Sequence, residues 1–160
     1  MSSGPFKARP RTQDAIADSG GKMIPIKSVM HFSIAVSDMD RSVKFYSEVL
    51  GFKHLATTPT KHLSFLDAAG TCILLHKQDA PINPRLWDGH GYHHAFVVDE
   101  KDYEAAKTYI ASKGMEIIGE ENPPGYCIAG PRFYFRDPDG TVLEFINLTY
   151  YAGHQSDKPA

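Results

Sequence analysis

Two histidines, His31 and His93, each open a stretch with one grammar: a short period-two run, apolar residues at helical spacing, a glycine, then several β-rich runs. Gly51 lies 20 residues beyond His31 and Gly114 lies 21 beyond His93, so the halves run in one register. A repeated strand–helix–strands unit excludes an all-helical bundle. It predicts an α+β chain in which two similar βαβββ modules share one core.

In the first half, His31 to Val36 alternates, so Phe32, Ile34 and Val36 share one face of a strand and His31, Ser33 and Ala35 the other. Asp38 or Asp40 offers an N-cap for an amphipathic helix carrying Val43, Tyr46, Val49 and Leu50, which Gly51 stops. Strands are expected at 52–58, 61–67 and 70–77, set apart by Thr-Pro-Thr and Ala-Gly. In the second half, the strand opened by His93 precedes a helix bearing Tyr103, Ala106, Tyr109 and Ile110, ended by Gly114. Strands are expected at 115–120, 130–136 and 141–148, the last two joined by the turn sequence Asp137-Pro138-Asp139-Gly140.

The modules span 28–78 and 92–149 and are joined by a proline-rich linker, 79–91, that carries Trp87. Residues 1–25 and 154–160 lack apolar periodicity and are expected to be tails. Charge and hydropathy narrow the function classes. A net charge of −2 with no run of five like charges argues against a nucleic-acid partner. No stretch approaches the roughly 18 apolar residues of a membrane span, and the first residues lack the apolar core of a signal peptide, so a cytoplasmic protein without a membrane partner is expected. Cys72 and Cys127 are too few for a disulfide framework or a thiolate zinc site and read as reduced packing thiols.

Parity then picks out chemistry. On the last strand Val142, Glu144 and Ile146 share a face, which puts a carboxylate on a strand otherwise fit for burial. A buried carboxylate needs a partner, and a cation is one solution. Two histidines at equivalent positions of similar modules would face one another across the internal pseudo-symmetry, so His31, His93 and Glu144 form a candidate facial metal triad that leaves open positions for a substrate. His94 has the opposite parity and is expected on the helix-packed face.

The stretches H31-F-S-I-A-V-S-D38, S42-V-K-F-Y46, V49-L-G-F52, H93-H-A-F-V-V-D99 and F133-Y-F-R-D-P-D-G-T-V-L-E144 together resemble the glyoxalase, bleomycin-resistance and extradiol-dioxygenase superfamily, also called vicinal oxygen chelate, over about residues 28–149. The resemblance implies a half-open, mixed β-sheet cup with helices outside, one divalent metal on His31, His93 and Glu144, a small-molecule substrate with neighbouring oxygens, and a homodimer. Lactoylglutathione lyases usually carry a fourth ligand, a glutamate four residues after a glycine. Counting from Gly70, that position is Leu74 here.

The three-ligand set favours Fe2+ or Mn2+ and oxygen chemistry like that of extradiol dioxygenases. The alternatives are a lyase, isomerase or thiol transferase that uses Zn2+, Ni2+, Co2+ or Mn2+ without O2, and a non-enzymatic antibiotic-binding protein. Tyr134 matches a substrate-contacting tyrosine of the dioxygenases and of the fosfomycin-modifying enzymes. His76 is a candidate proton-transfer group, and Ser33, Arg132, Arg136 and Trp87 are candidate substrate contacts, Trp87 as a lid or interface anchor.

Overall fold

Alternation along the first strand, β1 (His31–Val36), becomes a difference in burial: Ile34 and Val36 are buried, while His31 and Ser33 are exposed. Phe32 breaks the pattern and is 49% exposed. The computed structural model describes residues 28–79, 92–124 and 127–154. The expected tail 1–25, linker residues 80–91 with Trp87, and residues 155–160 lie outside them.

Helix α1 (Met39–Lys44) is capped by Asp38, whose carboxylate accepts the Arg41 N–H at 3.0 Å. The single α-helix expected up to Gly51 changes character, because Phe45–Val49 is a π-helical turn closed by the Leu50 N–H on the Phe45 carbonyl. Phe45 and Tyr46, at the start of this wider turn, are both buried. Gly51 then takes φ 74°, the left-handed stop for which it was singled out.

Three strands follow, β2 (Lys53–Thr57), β3 (Leu63–Ala68) and β4 (Thr71–Lys77). β4 returns to pair in parallel with β1, giving the sheet order β1-β4-β3-β2. The second module repeats this with β5 (His93–Val97), α2 (Glu100–Ser112), β6 (Gly119–Glu121), β8 (Arg132–Arg136) and β9 (Val142–Ile146), in the order β5-β9-β8-β6 with β5 parallel to β9. Two short strands, β7 (Ile128–Ala129) and β10 (Tyr150–Tyr151), pair with each other. The strand expected at 115–120 shrinks to three paired residues set later in the chain. On α2, Tyr103 and Ile110 are buried as expected, whereas Tyr109 is exposed and carries the Lys113 ammonium over its ring. Among the described residues no helix is long and apolar enough to cross a membrane.

One apolar core serves both modules, joining Ile34, Tyr46 and Leu75 of the first to Tyr103, Phe133 and Leu143 of the second. A polar clasp closes over it. The Tyr46 hydroxyl donates to Asp137 Oδ2 at 2.8 Å, while Asp137 Oδ1 accepts the N–H groups of Asp139 and Thr141 and so shapes the turn between β8 and β9. Asp139 in turn receives Arg41 Nη2 at 2.6 Å and the hydroxyls of Ser37 and Ser42. The two aspartates tie the second module's turn to the first module's helix.

Burial alone would raise the Asp139 carboxyl, but the hydrogen bonds from Ser37 and Arg41 outweigh it and hold it below the ordinary range. Its contribution is therefore present above that range and is lost as pH falls through the lowered folded value. Asp139→Asn is expected to destabilise the protein by about 1–2 kcal/mol at neutral pH. The gap from wild type should close as pH drops below about 4, which urea unfolding at a series of pH values will check.

Candidate metal centre

Glu144 is buried, 3% exposed, on the face of β9 turned away from the shared core. Strand register selects its neighbours: Ala95 on β5 and Tyr134 on β8 lie directly opposite it. His93, two residues before Ala95, is therefore on the same face, and its Nε2 lies 2.9 Å from Glu144 Oε2. The Tyr134 ring stands edge-on to the imidazole at 5.7 Å, and its hydroxyl donates to Glu121 Oε1 at 2.7 Å.

Burial pushes the Glu144 carboxyl above its ordinary range, against the pull of His93, Arg132 and the Tyr134 hydroxyl and with a further push from Glu121. Tyr134 moves the same way, raised well above an ordinary phenol by burial, by its bond to Glu121 and by the Glu144 charge. It therefore stays protonated at neutral pH and serves as a donor. His94, next along β5, is half-buried and lowered by burial and by its neighbour His93.

The donor chemistry fits a divalent ion. A carboxylate whose ionisation is penalised by burial sits beside an imidazole that is partly open to solvent, and a cation would offset that penalty. The expected triad is nonetheless not assembled within the chain. Among the described residues no three His, Cys, Asp or Glu side chains converge as a metal-holding group, so neither His31 nor His76 joins the His93–Glu144 pair. His31 is exposed on β1, in the other sheet. His76 is exposed on β4 between Ala35 and Leu63, so its expected catalytic role has no support from position.

Of the expected substrate contacts, Ser33 is exposed on β1 opposite Leu74. Arg132 Nε donates to the Gly130 carbonyl at 3.3 Å and its charge reaches Glu144, while Arg136 Nη1 donates to the Gly140 carbonyl at 2.8 Å. Gly130 itself admits no side chain, since at φ 139° a Cβ would fall 1.9 Å from the Asn147 carbonyl oxygen. Trp87 lies outside the described residues. Sequence reasoning missed Glu121, because the expected strand ended at 120. The available signal was parity, since Gly119 and Glu121 alternate onto one face and Gly119 pairs with Tyr134.

The profile of the Glyoxalase/Bleomycin resistance protein/Dioxygenase superfamily matches residues 28–145. The chain belongs to that superfamily. Glutathione transferase FosA of Serratia marcescens is 30% identical to this superfamily member over 119 residues, which cover 74% of this chain and 79% of FosA. Metallothiol transferase FosB of Staphylococcus epidermidis is 32% identical over 120 residues, covering 74% of this chain and 80% of FosB. Among solved structures, the fosfomycin resistance protein FosX of Listeria monocytogenes, crystallised with Mn(II) and 1S,2S-dihydroxypropylphosphonic acid, matches with a TM-score of 0.65 at 20% identity over 76% of this chain and 90% of FosX. That last likeness shows the fold.

The raised Glu144 carboxyl makes the ionised form a burden to the metal-free fold above the folded pKa, a burden that vanishes at low pH. Glu144→Gln is accordingly expected to leave metal-free stability unchanged at neutral pH or to raise it by up to about 1 kcal/mol. Urea unfolding in the presence of a chelator is the check.

Proposed function

We propose that this protein is a divalent-metal-dependent enzyme that activates a small, oxygen-bearing substrate for attack by a nucleophile such as a thiol, without O2. The observation that carries this reading is the buried Glu144 carboxylate beside His93, with a protonated Tyr134 at its edge. The relatives FosA and FosB, transferases by name, favour group transfer over the oxygen chemistry that the three-ligand set suggested.

The His93 imidazole and the Glu144 carboxylate present two donor atoms side by side. A bound divalent ion supplies Lewis acidity, polarising a substrate oxygen. Tyr134, its hydroxyl held by Glu121, is placed to hydrogen-bond an oxygen in the same site, and Arg132 adds positive charge near Glu144. The third donor is His31 of a second copy of this chain. His31 is exposed and outside the pair, and the surface includes exposed apolar side chains such as Leu55 and Val97, which are 51% and 63% exposed. Two copies related by a twofold axis would build two equal sites, each taking His31 from one chain and His93 with Glu144 from the other.

His93→Ala is expected to fold, with an unchanged circular dichroism spectrum, and to lose the ion. A normal metal content in that variant sinks the site. Separately tagged His31→Ala and Glu144→Ala chains, each metal-free alone, should recover about half the wild-type metal as an isolated hybrid dimer; no recovery assigns His31 to its own chain. Activity on an electrophile with a thiol should persist under strict anaerobiosis, whereas oxygen uptake with a catechol panel would restore the dioxygenase reading.

A further inference from the structure

The internal repeat sets the two modules against each other position by position. In the second module Ala95, two residues beyond His93, pairs with Glu144, and Glu144 pairs with Tyr134 on the next strand. In the first module Ser33, two residues beyond His31, pairs with Leu74, and Leu74 pairs with Phe65. Leu74 is therefore the counterpart of Glu144, and Phe65 the counterpart of Tyr134. Where the second sheet carries a carboxylate and a phenol, the first carries an isobutyl group and a phenyl ring of similar bulk. Of the three polar side chains, only the histidine is kept in both modules.

Leu74 and Phe65 face away from the shared core. Their neighbours along the strands, Ile73, Leu75, Ser64 and Leu66, are buried, whereas Leu74 and Phe65 are half-buried on the face that carries His31 and Ser33, and neither belongs to the core. In the second module the equivalent positions meet, with His93 Nε2 2.9 Å from Glu144 Oε2. The same register puts Leu74 next to His31 on its face. When a second copy brings His31 to an ion on His93 and Glu144, Leu74 and Phe65 come with it, across the ion from Glu144 and Tyr134. A leucine has no donor atom, so that position is left to the substrate with a carbon surface beside it. The row through Ser33, Leu74, Phe65 and Ala56 carries one hydroxyl and no charge. Spanning four strands, it is about 14 Å long, enough to lie along a chain of several carbons. Charged and ionisable side chains stand in the flanking rows, Asp67 level with His31 and His76 level with Ala35.

We propose that Leu74 and Phe65 of the second copy form an apolar wall beside the ion and select a substrate that joins metal-chelating oxygens to a small apolar carbon body. This rests on the shared-metal reading given above and names a substrate class for it. The two halves of the repeat then divide the work: Tyr134 and Glu144 attend to the oxygens, Phe65 and Leu74 to the carbons.

The test uses the full chain loaded with Co2+, whose visible absorption reports ligands at the ion, titrated with acetohydroxamate and with hexanohydroxamate. Both chelate through the same pair of neighbouring oxygens and differ only in the length of the alkyl chain. Hexanohydroxamate is expected to bind about tenfold more tightly, since one wall covers part of the longer chain. Leu74→Ser and Phe65→Ser, made separately, should each cut that ratio about 3-fold or more; a variant that merely loosened the fold would weaken both hydroxamates together. Circular dichroism is the folding control, and two variants on two strands keep the test intact if one of them fails to fold. Leu74→Glu added to Glu144→Ala should recover the Co2+ binding that Glu144→Ala alone loses, because the repeat makes the two positions equivalent. Equal affinity for the two hydroxamates, a ratio indifferent to both serine variants, or no recovery in the double variant overturns the proposal while leaving the metal site standing. A wild-type chain that takes up no Co2+, or a His93→Ala chain that keeps it, overturns the metal reading and this proposal together.

Discussion

Parallel pairing of the first and last strands within each module governs the rest of the architecture. A parallel neighbour cannot be reached by a tight turn, so the chain must leave β5, cross through α2 and lay down β6 and β8 before β9 returns beside β5. That return fixes the register that sets Ala95 opposite Glu144 and so brings the His93 imidazole to the carboxylate. A slip of one residue would turn Glu144 toward the phenylalanine core and Phe145 toward the face that Glu144 now holds. The juxtaposition of His93 and Glu144 thus follows from the pairing that also builds the sheet.

The two faces of the second sheet divide the work. One packs Phe133, Phe135 and Leu143 into a core shared with Ile34, Tyr46 and Leu75 of the first module. The other holds Glu144 and Tyr134, where burial raises both groups above their ordinary ranges. Folding energy from the first face sustains electrostatic strain on the second, and a cation is the group best suited to relieve it. The Asp137–Asp139 clasp keeps the turn leading into β9 fixed on α1, so the strand that carries Glu144 starts from a rigid anchor.

Edges matter as much as faces. β1 and β5 are both edge strands, and both begin with the histidines that the repeat brings into register. The superfamily to which the chain belongs includes both transferases and dioxygenases in name, so the fold leaves the substrate to be decided by such local features.

By itself the sequence determined the module repeat, the face on which each β1 residue lies, the helix stops at Gly51 and Gly114, and the isolation of a carboxylate at Glu144, because each depends on periods of 2 and 3.6 residues and on glycine's freedom at positive φ. It also singled out Tyr134, through its match to a substrate-contacting tyrosine of related enzymes. Only the tertiary structure decided that the helix widens into a π-helical turn at Phe45–Val49, that Glu121 holds the Tyr134 hydroxyl, and that His31 and His76 stand apart from the His93–Glu144 pair. These depend on how one strand or module lies against another, and local periodicity carries no information about that distance.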